Sequence, residues 1–137
     1  MLLILSRLLP VPRRYESVKR VWGDIMLSYT ERYRAYCSDL NAGAGKSNIK
    51  RHNIAMGKLE RLYRAVQKEA DKTFLLELIN DENEWVRLIA STDCLRMNVY
   101  IREAVNVLEV LSIHSTIIDV RLDSSQVLHI WRKQGYI

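Results

Sequence analysis

Proline is nearly missing from this 137-residue chain: there are two, Pro10 and Pro12, both close to the start. From residue 15 onward nothing locks φ or removes a backbone donor, which favours long helices. Glycine is scarce as well, five in all. The two cysteines, Cys37 and Cys94, lie 57 residues apart inside helical patterns. They read as buried thiols in a reducing compartment, with no Cys-x-x-Cys pair to hold metal. His52, His114 and His129 show no ligand spacing, so neither a structural metal nor a cofactor is expected. The opening MLLILSRLLPVP is apolar, but Arg7 interrupts it and it is too short to span a bilayer. It also lacks a basic n-region and a small-residue cleavage site. The expectation is a cytoplasmic protein that does not engage membranes.

One short stretch invites a nucleotide reading: Asn41-Ala42-Gly43-Ala44-Gly45-Lys46-Ser47 ends as a phosphate-binding loop does. That loop needs a glycine five residues before its Gly-Lys, and a buried strand feeding it. The position is Leu40, and the preceding Met26, Tyr29, Tyr33, Cys37 and Leu40 recur at helical spacing. A turn between two helices fits better. Asn41 and Gly43 suit a helix end, and Ser47 or Asn48 suits the cap of the next helix.

Apolar residues make up 48% of the chain and charged residues 27%, the balance of a folded domain rather than a disordered one. The reading is an N-terminal extension over 1–25 followed by a single helical domain over 26–137. Charge is divided unevenly. Residues 1–69 carry 14 Lys+Arg against 6 Asp+Glu, and residues 70–137 carry 7 against 10. A basic surface on one part and an acidic surface on the other would steer two partners, or one with complementary ends.

Helices are expected over about 15–25 and 26–40, then over 48–70. In the last, Ile49, Met56, Leu59, Tyr63, Val66 and Ala70 make an apolar stripe at steps of three, four and seven. Lys50, Arg51, Lys58, Arg61, Arg64 and Lys68 fall on the rest of that helix. A short apolar helix, Phe74 to Ile79, precedes the polar turn Asn80-Asp81-Glu82-Asn83 and a longer helix from about Glu84. There Val86, Ile89, Ala90, Asp93, Cys94 and Met97 face one side. The theme returns 34 residues later: Trp85-Val86-Arg87-Leu88 aligns with Asp119-Val120-Arg121-Leu122, and Ser91 with Ser125. The second copy carries Asp123 where an alanine is expected to match Ala90. Paired helices at this period predict an all-α fold, a short α-solenoid.

With its NDEN turn followed by EWVRLIA, this repeat resembles the HEAT repeat. Residues 48–137 resemble a small bacterial HEAT-like domain family, down to a closing Trp131-Arg132-Lys133. The resemblance implies antiparallel helix pairs and says little about chemistry, because its motifs are packing motifs.

Nothing in the chain spells a catalytic constellation, and an enzyme is not expected. Arg87 and Arg121 occupy equivalent places; they either tie neighbouring repeats through turn groups such as Asp81 and Asp119 or line a groove. Asp81, Glu82 and Glu84 beside Trp85 suggest a docking spot in which the aromatic anchors and the carboxylates set register. With Arg87, Ser91, Arg121 and Asp123 they form the expected partner-binding set. Small stand-alone domains of this kind resemble immunity proteins, which implies a cognate bacterial toxin as partner, a nuclease by expectation, blocked at its active site. The alternative is nucleic-acid binding through Lys50, Arg51, Lys58, Arg61, Arg64 and Lys68.

Overall fold

A computed structural model describes residues 27–41 and 46–137, and every regular element in them is helical. They belong to two compact units, one ending at Lys68 and one spanning Glu69–Ile137. The extension over 1–25, with the helix expected at 15–25, lies outside the described residues.

In the first unit α1 spans Tyr29–Ser38 and runs into a 3-10 turn, Asp39–Asn41. Its start carries the capping-box residue pair, Ser28 and Glu31. The Ser28 hydroxyl accepts the Glu31 N–H at 3.1 Å and donates to the Glu31 carboxylate at 2.9 Å. α2 spans Lys46–Gln67. A helix, not a strand, therefore leads into the Gly-Lys-Ser stretch, as the turn reading requires. Ser47 and Asn48 do not cap α2 but lie in its first turn, since the helix already begins at Lys46. The buried side of α2 is Ala55, Leu59, Leu62, Tyr63 and Val66. That side is rotated from the expected stripe, so Ile49 and Met56 stay exposed and Ala70 falls beyond the helix end.

In the second unit α3 is Phe74–Leu78, α4 Glu84–Met97, α5 Ile101–His114 and α6 Ile118–Gln134. α3 packs on α4, while α4, α5 and α6 pack on one another, the consecutive pairs sharing the larger seams. The 34-residue offset reappears in the helix starts, Glu84 and Ile118. It reappears in the core too: Val86 and Val120, Ala90 and Ser124, Cys94 and Leu128 are all buried. Four-residue steps put each trio on one face of its helix. The counterpart of Ala90 is thus Ser124, fully buried, and not Asp123, which is exposed.

The polar turn before α4 is built from its own side chains. Asp81 accepts the Asn83 N–H at 3.0 Å, and Asn83 accepts the N–H groups of Trp85 at 2.8 Å and Val86 at 3.3 Å. Those donors have no partner inside the helix, so Asn83→Ala should lower stability by about 1 kcal/mol. Chemical denaturation reads that loss, and Asn83→Ser, which keeps an acceptor, should recover most of it. At the other end Asn98 is left-handed, with φ 57°, and Tyr100 follows at φ 49°. Asparagine tolerates that region, whereas a bulky tyrosine is strained in it.

Candidate docking face

Glu84, at the first position of α4, accepts the Ser115 hydroxyl at 2.5 Å and lies 3.8 Å from Arg87. The same Ser115 oxygen accepts the Ile117 N–H at 3.1 Å, ordering the bend between α5 and α6. Glu84–Ser115 therefore ties the start of α4 to the bend between α5 and α6. Arg87 is half-buried with its Nε lacking a hydrogen-bond partner among the described residues. Arg121 is exposed.

The expected partner-binding set therefore splits. Trp85 is only 4% exposed, so it is core and not an anchor for another protein. Ser91 is fully buried on α4. Glu84 is engaged by Ser115, and Asp81, half-exposed, serves its own turn. Only Glu82, Arg121 and Asp123 stand fully at the surface.

The basic set also divides. Arg51 pairs with Asp39 at 2.8 Å, and the Lys58 ammonium sits 5.3 Å from the centre of the Tyr36 ring, so the first holds α2 to the 3-10 turn and the second holds it to α1. Arg61 is partly covered, and burial pulls its guanidinium below the ordinary value, against the opposing pull of Tyr36. Lys50, Arg64 and Lys68 are exposed, with Arg64 in a loose 3.7 Å pair with Glu60. Such a pair adds little at a surface.

The exposed apolar residues of the α5–α6 hairpin were not singled out from sequence. Ile113 is 67% exposed, Ile118 61%, Leu122 60% and Val110 52%, two on each arm. On α5 the buried residues are Ala104, Leu108 and Leu111, and Val110 and Ile113 lie on the opposite side. A signal existed: α5 reads Ile101-Arg102-Glu103-Ala104-Val105-Asn106-Val107-Leu108-Glu109-Val110-Leu111-Ser112-Ile113, with more apolar residues than one helix face holds. Arg132 reaches Glu109 at 2.6 Å, joining α6 to α5 beside this face.

Among the described residues no group of three or more His, Cys, Asp or Glu could hold a metal ion, and no helix is long and apolar enough to cross a membrane. Cys37 and Cys94 are free and buried. Burial, then Asp93 and Glu103, push the Cys94 thiol up to about 12 from 9.0. The neutral thiol is thus favoured by the fold. Its contribution to stability is complete below 9.0 and is lost as pH rises from there towards about 12. Denaturation midpoints in that alkaline window should fall with pH, and Cys94→Ala should flatten the fall. Compared with known proteins, the chain matches no family model, no curated protein and no solved structure.

Proposed function

We propose that this chain is a non-catalytic protein-binding module, its second unit paired in the HEAT-like manner, that docks its partner on the outer face of the α5–α6 hairpin. The carrying observation is the set Val110, Ile113, Ile118 and Leu122, each more than half exposed within two turns of one bend. Large apolar side chains grouped in this way mark a surface that gains by being covered. The exposed acids Glu82, Asp119 and Asp123 support a partner with a basic surface. Together with the resemblance to immunity proteins, they make a toxin the partner we propose, held at the groove with which it grips phosphates. The basic helix supports nucleic acid less well, because Arg51, Lys58 and Arg61 are engaged by α1 or the 3-10 turn that follows it.

The test is a pull-down with tagged protein at low and high salt, run beside Leu122→Asp. A stoichiometric protein retained at high salt and lost with the variant is the expected result. Neutralisation of that protein's toxicity by this chain would confirm the toxin reading. Nucleic acid captured at low salt and released at high salt, with no protein partner, would overturn it in favour of α2.

A further inference from the structure

We infer that the outer face of the α5–α6 hairpin also closes on the same face of a second copy of this chain, in a two-fold dimer whose α6 helices run parallel. This rests on the docking-face reading above, and the second copy occupies the face whenever the foreign partner is absent. The apolar centre comes first. Ile118 and Leu122 are four residues apart and point the same way, with Val110 and Ile113 on the other arm of the hairpin. The 34-residue relation then says what kind of surface would cover them. Leu122 corresponds to Leu88, which is 3% exposed in the helical packing of α4. On α4 this side of the repeat is buried, and on α6 the same side is open.

Charge selects a second copy and its orientation. Asp119 and Arg121 are both exposed. At 100° per residue they fall on opposite flanks of the Ile118–Leu122 line. When two such faces meet about an axis parallel to α6, the flanks exchange, and Arg121 of each copy comes opposite Asp119 of the other. An axis lying across the helices would instead oppose arginine to arginine and aspartate to aspartate. The face is complementary to itself in one arrangement, the condition for a closed isologous dimer.

Sedimentation equilibrium of the full chain, diluted from about 100 to about 1 µM, tests this. The expected result is reversible dissociation from dimer to monomer. Leu122→Asp should weaken the dimer about 100-fold while leaving the helical circular dichroism unchanged and, at concentrations where the chain is monomeric, the melting curve unchanged as well, since Leu122 is exposed in the single chain. Arg121→Asp and Asp119→Arg should each weaken it about tenfold, and mixing the two single variants should restore it as a heterodimer. Dimerisation that ignores single charge reversals would overturn the parallel arrangement. A dimer that ignores Leu122→Asp would overturn the inference. A chain that stays monomeric, yet loses a captured foreign protein with Leu122→Asp, would also overturn it while the docking face stands. If neither self-association nor a foreign partner depends on Leu122, both readings fall.

Discussion

Leu108→Ala should cost about 3 kcal/mol of stability, the usual result of emptying a fully packed leucine site. Leu108 is fully buried on α5, the helix that packs against both α4 and α6. Removing its branch leaves a void in a helix held by two neighbours, which limits how far the packing can close over it. Urea denaturation followed by circular dichroism reads the effect as a lower midpoint with an unchanged slope. Leu122→Ala on α6 is the control. In the single chain that side chain is mostly in water, so at concentrations where the chain is monomeric its truncation should change stability by less than about 0.5 kcal/mol. Equal losses for the two variants would contradict the division of the hairpin into an inner and an outer face.

Ala90→Leu should cost about 1–3 kcal/mol, by crowding instead of by emptying. Ala90 is fully buried, and Ser124, its counterpart one repeat later, is buried as well. Two small residues at matching positions set how closely helices approach, and three extra carbons at either site have nowhere to go. Ser124→Ala should behave oppositely. The Ser124 hydroxyl is buried with no hydrogen-bond partner among the described residues. Exchanging it for a methyl group removes an uncompensated polar atom and improves helix propensity, so stability should rise by about 1 kcal/mol. A drop with Ser124→Ala would show that the hydroxyl is satisfied in solution.

The helices were largely legible because apolar spacing and capping residues are local. Asn83 and Glu84 mark the start of α4 in both sequence and structure, and the pairing of Val86 with Val120 follows from counting alone. The division after Lys68 was not legible, since no proline or glycine marks it and the chain from 26 to 137 reads as one run of helices. Trp85 was misplaced for a physical reason. A tryptophan beside acids looks like an anchor, but whether it faces out depends on how many neighbours its helix has. α4 is surrounded and buries Trp85, Leu88, Ser91 and Leu95 on its remaining sides. α6 carries the same pattern with fewer neighbours, and there Leu122 and Ser125 emerge. Periodicity tells which residues share a face. It does not tell which faces are covered.

The seams of the second unit join mostly helices that follow one another in the chain, and the contact of α4 with α6 reaches across just one intervening helix. Folding such a unit needs little long-distance search, because each seam closes over a short bend and forfeits little chain entropy. Topologies of this kind fold on the order of microseconds to milliseconds. During synthesis α4 would find α3 first, then α5, then α6, each partner arriving within tens of residues of the last. The α5–α6 hairpin is completed last, so its apolar residues are gathered into one presented side only once the unit beneath them is in place.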